Sequence, residues 1–131
     1  MSSGRILSVE SSCDETAVAV VERGRRILAS VVASQVQLHS ATGGIVPEVA
    51  ARAHLRWMIP VLDEARTRAG IEDWREVDAV AVTEGPGLAG SLLVGITMAK
   101  TLAWSTGLPL VPVNHLEGHI YAAWLLDPDE E

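Results

Sequence analysis

The sequence predicts an α/β fold, a mixed five-stranded sheet with helices packed against it, in the order β-β-β-α-β-α-β-α. Three observations predict it. The first third holds three β-rich runs joined by short polar links, the pattern of an antiparallel meander. After residue 47, segments of helical period alternate with short apolar runs, the pattern of strand–helix units. Apolar residues make up 48% of the 131 positions, enough for one buried core and one domain.

Residues 5–10 and 16–22 read as the first two strands, joined by the polar loop Ser11-Ser12-Cys13-Asp14-Glu15. Residues 25–34 continue as a third strand after a turn at Arg23-Gly24, and Gly43-Gly44 marks a junction. From Pro47 to Ala69 the positions Ala50, Ala53, Trp57, Val61, Leu62 and Ala65 follow a helical period that Gly70 ends. Pro60 interrupts this helix and is expected to kink it, at a cost of about 3 kcal/mol unless packing compensates.

Residues 78–83 form a largely apolar β run, expected to be buried on both faces. A second helix spans 88–105, with Leu88, Leu92, Ile96, Ala99 and Ala103 on one stripe and Gly107 as its stop. Residues 110–113 make a short fifth strand. A third helix starts near His115, with Asn114 as its N-cap. We expect one unit over 1–126 and an exposed acidic end over 127–131.

Charge and cysteine content narrow the function classes. Seventeen carboxylates face ten bases, for a net charge of −7, and no basic tract is present. Such a surface repels phosphate backbones, so basic contacts to any nucleic acid must come mostly from elsewhere. The single cysteine, Cys13, rules out an internal disulfide and suits a reducing cytoplasm. The first residues run straight into a strand pattern without a signal peptide, and the apolar stretches are too short to span a bilayer. The expectation is a soluble cytoplasmic protein with no membrane contact.

The pentapeptide His115-Leu116-Glu117-Gly118-His119 is the strongest chemical signal. Two imidazoles four residues apart share one helix face and can converge on a metal such as Zn or Fe. From the pair alone, a metal site and two exposed histidines at a chance spacing stand level. Two ligands are also fewer than the three a working site draws from protein. A zinc peptidase of the His-Glu-x-x-His type is disfavoured. Glu117 lies two residues from each histidine, turned about 200° away, and cannot polarise a water on a metal held by both.

Two weaker motifs stand beside it. Gly85-Pro86-Gly87-Leu88-Ala89-Gly90 matches the dinucleotide pattern Gly-x-Gly-x-x-Gly. The acidic residue that should close the next strand is missing, since that strand ends at Val113-Asn114, and a meander precedes the unit. A tight turn with close helix packing is the preferred reading, although its amides could face an anion. The loop with Asp14 and Glu15 can approach a phosphate through backbone amides while its acids engage a cation or an amine. Turns are commonly built of such residues, however. Cys13 has no base nearby in sequence to lower its pKa. His39 and His54 are lone histidines, expected to be structural or exposed.

Together these segments resemble one family. Val9-Glu10-Ser11-Ser12-Cys13-Asp14-Glu15-Thr16 looks like its opening strand and loop. Gly43-Gly44-Ile45-Val46-Pro47-Glu48 and Ala51-Arg52-Ala53-His54 look like the start of its first helix. Thr83-Glu84-Gly85-Pro86-Gly87-Leu88 and Asn114-His115-Leu116-Glu117-Gly118-His119 look like its two signature turns. The family is that of the tRNA adenosine threonylcarbamoyltransferases, also labelled glycoproteases or O-sialoglycoprotein endopeptidases.

The resemblance implies an actin/Hsp70/hexokinase-like, ribonuclease H-like lobe, the first of two. It implies transfer of a threonylcarbamoyl group from threonylcarbamoyl-AMP to the exocyclic amine of the adenosine beside the anticodon of tRNA. His115 and His119 match the family's metal-ligating histidines, with one divalent ion per subunit, Fe or Zn. Asp14 and Glu15 match its catalytic and substrate-binding loop acids. The implied partners are a paralogous protein of the same fold and a small ATPase subunit. The family's third metal ligand, an aspartate, and its Ser-Gly-Gly-His nucleotide loop belong to the second lobe and are absent here. The chain alone is therefore expected to be inactive, because a half-cleft holds metal weakly and stays wet. The competing reading is a non-catalytic dimerisation partner, against which the histidine pair argues.

Overall fold

The computed structural model describes residues 4–11, 15–34, 47–86 and 89–114. Five strands and two long helices appear among them: β1 (Arg5–Glu10), β2 (Glu15–Glu22), β3 (Arg26–Ser34), α1 (Pro47–Arg68), β4 (Ala79–Gly85), α2 (Ala89–Thr106) and β5 (Leu110–Asn114). The predicted order holds through β5. The helix expected from His115 lies outside the described residues, as do Asp14, His39, His115 and His119.

The strands form one mixed sheet in the order β3-β2-β1-β4-β5. Strands β1, β2 and β3 pair antiparallel as the meander, with a register shift at Val20/Val21. Strand β4 pairs parallel to β1, and β5 parallel to β4. This is the expected ribonuclease H-like arrangement, with β1 at its centre. The start of β4 is fastened to the start of β1 by Gly4 N donating to Asp78 Oδ2 at 2.7 Å and Asp78 N donating to Arg5 O at 2.8 Å.

Period-two alternation decides which face is covered. Leu7 and Val9 of the first strand and Ser11 just past its end, with Thr16, Val18 and Val20 of the second, point to one side and are buried. Helix α1 packs on this side over β2 and β3, α2 packs over β1 and β4, and the two helices touch. Leu7, Val9, Val18, Val20, Met58 and Val80 lie at the centre of the resulting core. Ala79 to Thr83 are all buried, the two-faced burial their apolar composition predicts.

The buried stripe of α1 differs from the expected one. His54, Met58, Val61, Leu62 and Ala65 are buried, whereas Trp57 is 44% exposed. At 100° per residue Trp57 lies about 80° from the centre of that stripe, where the Arg56 guanidinium stands 5.9 Å from its ring centroid. The helix continues on both sides of Pro60, an exposed position.

Both helices stop on glycine, as predicted. Gly70 and Gly107 have φ of 70° and 72°. Ile71 N bonds to Arg66 O, and Gly70 N to Thr67 O, the paired bonds that let a left-handed residue satisfy the last carbonyls. A short 3-10 turn at Trp74–Glu76, which periodicity did not reveal, links α1 to β4. Asp73 and Glu76 cap it reciprocally: the Asp73 side chain accepts from Arg75 N, and Glu76 accepts from Asp73 N.

Candidate functional site

Strands β1, β4 and β5 are parallel, so their carboxyl ends share one edge of the sheet. Parallel sheets bind ligands outside this edge. Strand β1 ends there at Glu10, β4 at Gly85 and β5 at Asn114, the residue before His115. Strand β2 runs the other way and starts at the same edge with Glu15, whose exposed side chain is paired across the ladder with Ser34. The acidic loop and the histidine segment, 100 residues apart in sequence (His115 against Glu15), thus both leave from one edge. Only β4 separates β1 from β5, a spacing of about 10 Å at two strand intervals.

Of the predicted site residues, Glu15 is the one the described structure places. Asp14, His115 and His119 lie outside it. Among the described residues no group of three or more His, Cys, Asp or Glu side chains could hold a metal.

Two features of this edge escaped the sequence reading. Glu10 at the end of β1 accepts a short hydrogen bond from Thr83 Oγ1 at the end of β4. Both side chains lie on the sheet face away from the helices. The one available signal was a threonine closing an otherwise apolar strand. The second feature is the anchoring of the acidic loop at both its ends. Ser11 Oγ donates to Ser91 O at 2.6 Å and accepts from Gly95 N at 3.1 Å. Thr16 Oγ1 lies 2.7 Å from His54 Nδ1. Ser11, Thr16 and His54 are all but inaccessible, so His54 is structural rather than exposed. No local pattern links residue 54 to residue 16.

In the glycine-rich segment, Gly87 and Leu88 lie outside the described residues, and Gly90 is a packing contact. A Cβ on Gly90 would stand 3.4 Å from Ala51 Cβ, so the third glycine of the pattern sits where α2 meets α1. The stripe of α2 that faces the sheet is deepest at Ser91, Gly95, Ala99 and Ala103. Small residues there bring the helix onto β1, where a Cβ on Gly95 would collide with the Ser11 hydroxyl. Outside the sheet-facing side, α1 and α2 form a groove of about 480 Å³ lined by Leu55, Met58, Leu93, Val94 and Met98. Leu55 and Leu93 are 65% and 62% exposed. No helix among the described residues is long and apolar enough to cross a membrane.

Comparison with known proteins agrees with this architecture. The structure of YeaZ from Pseudomonas aeruginosa superposes with a TM-score of 0.64 at 24% identity, covering 87% of this chain and 43% of that one. That likeness shows the fold. A tRNA N6-adenosine threonylcarbamoyltransferase of Thermomicrobium roseum is 60% identical over 126 residues, 96% of this chain and 34% of the relative. One from Symbiobacterium thermophilum is 56% identical over 131 residues, all of this chain and 38% of the relative. The chain thus spans little more than a third of the length of these curated relatives. The family model for tRNA N6-adenosine threonylcarbamoyltransferase matches residues 26–131. With residues 26–131 matched by the family model and relatives 56–60% identical over nearly the whole chain, the chain belongs to the tRNA N6-adenosine threonylcarbamoyltransferase family.

Proposed function

We propose that this chain is the N-terminal lobe of an enzyme that transfers a threonylcarbamoyl group from threonylcarbamoyl-AMP to the exocyclic amine of the adenosine next to the anticodon of tRNA. One observation carries the reading. In a chain of this family, the Asp14–Glu15 loop and the His115 segment issue from the same sheet edge, one strand apart. In this reading the loop acids orient the adenylate. His115 and His119 hold one divalent ion, Fe or Zn, with a third ligand supplied by a second lobe. When bound, such an ion polarises the carbamoyl and phosphate oxygens as a Lewis acid. The acidic balance of the lobe leaves tRNA binding to basic surfaces elsewhere. The reading places the protein in the cytoplasm, where its tRNA substrate is.

The partners we propose are a paralogue of the same fold and a small ATPase subunit. The groove between α1 and α2 is the surface that suits the paralogue. It is apolar, flanked by the exposed Leu55 and Leu93, and a second helix pair can fill it ridge into groove.

Metal analysis and a transfer assay on the full-length protein test the proposal together. We expect about one Fe or Zn per chain, lost along with threonylcarbamoyl transfer in His115→Ala and His119→Ala. A protein that purifies without metal and whose His115→Ala variant transfers at the normal rate would overturn it.

A further inference from the structure

The loop that precedes Glu15 is bounded by two buried hydroxyls, each engaged with a different helix. Ser91 and Gly95, four residues apart, are the two ends of one helical rung, and Ser11 Oγ bridges them, donating to the carbonyl and accepting from the amide. At the far end, Thr16 Oγ1 and His54 Nδ1 share a hydrogen at 2.7 Å, with His54 0% exposed in the packed stripe of α1. A leucine or methionine would fill that space without an imidazole's desolvation cost. Packing alone does not account for a histidine there. A hairpin also needs neither bond to close, since its ladder from Arg5↔Glu22 to Glu10↔Ala17 is complete without them. What the two bonds do is fix the ends of the loop against two independent elements.

We propose that His54, acting through Thr16, and Ser11, seated on α2, are positioning residues for Glu15. They hold its backbone so that the carboxylate meets the substrate at a fixed place. The proposal rests on the reading above that this loop contacts the acyl-adenylate. Neither residue touches substrate. Each acts by holding the end of β1 or the start of β2 on a helix, so that Glu15, the first residue of β2, does not shift by the ångström that costs a factor of about a hundred in rate.

The test is steady-state kinetics of the full-length transferase with its partner proteins, alongside thermal melts. Glu15→Gln examines the underlying reading, and a fall in kcat is expected. Thr16→Val removes the bond to His54 and is expected to lower kcat about tenfold while KM for tRNA stays within about twofold. Thr16→Ser keeps the hydroxyl and is expected to restore kcat. Val18→Ala, two residues on and equally buried, supplies the structural control: Tm falls and kcat holds. If Thr16→Val does not fold, Ser11→Ala is judged by the same criteria. Normal kcat in the hydroxyl-deleting variants beside an impaired Glu15→Gln overturns the positioning role and leaves the reading intact. An equal kcat loss in Val18→Ala at matched Tm overturns it as well. Normal kcat in Glu15→Gln removes the reading and the proposal together.

Discussion

Ser11 and Gly95 meet with no space between them: the Ser11 hydroxyl accepts the Gly95 amide at 3.1 Å and occupies the volume a side chain at 95 would need. Alanine in mid-helix normally stabilises by about 0.5–1 kcal/mol over glycine. At this position overpacking, about 1–3 kcal/mol, outweighs that gain. Gly95→Ala is therefore expected to destabilise by about 1–2 kcal/mol in urea melts. Gly90→Ala, whose nearest neighbour is the Ala51 methyl at 3.4 Å, should stay within about 0.5 kcal/mol of the unaltered chain or gain. Adding Ser11→Ala to Gly95→Ala should recover part of the loss, a coupling of about 0.5 kcal/mol or more. Strict additivity would refute the contact.

Thr83 and Glu10 join neighbouring strands at the proposed ligand edge. Hydrogen bonds to charged groups contribute about 1.5–3 kcal/mol, and part of that is screened at a half-buried carboxylate. Thr83→Val is expected to lower stability by about 1–2 kcal/mol, with Thr83→Ser near the unaltered value. Equal losses in both would assign the effect to packing.

Leu55 and Leu93 flank the helix groove and are mostly exposed, so charge there should hardly affect the fold. Leu55→Glu and Leu93→Glu are each expected to change stability by no more than about 0.5 kcal/mol. Affinity for the proposed paralogous partner should fall at least about tenfold, as loss of a central apolar contact does. Denaturant melts read the stability and calorimetric titration the affinity. Undiminished binding would place the partner on another surface.

The cap ahead of β4 offers a local comparison. Asp73 and Glu76 satisfy the amides of the 3-10 turn reciprocally. Asp73→Ala should therefore cost about 1 kcal/mol, readable by chemical denaturation and independent of Thr83→Val, because the two share no partner.

The strand and helix order was legible because short-range chemistry wrote it. β-branched runs marked the strands, and glycines at Gly70 and Gly107 marked helix stops that require positive φ. Strand β4 announced its two-sided burial by being apolar at consecutive positions. Trp57 misled because a large apolar ring looks like core from its period alone, while the flank of α1 presents it to solvent against Arg56. At the site, Glu15 was legible as an acid beside the loop, although the structure makes it the first residue of β2 rather than part of the loop. Its supports were not, because Thr16–His54 and Ser11–Gly95 are separated by 38 and 84 residues, and a single sequence carries no sign of such pairings. The Glu10–Thr83 bond spans 73 residues and was hidden for the same reason.

The central place of β1 has a consequence for how the chain reaches its native state. The meander forms from neighbours in sequence, but the partner on the other flank of β1 arrives late, since Ile6 pairs with Ala79, 73 residues on. Closing a loop of that length costs about 4 kcal/mol in chain entropy before any parallel contact repays it. On a ribosome adding roughly 5–20 residues per second, the delay is about 4–15 s. During that interval the β1 flank presents unpaired amides and carbonyls, a template on which a second nascent copy can pair. The strand that organises the finished sheet is thus also the one most exposed to mispairing during synthesis.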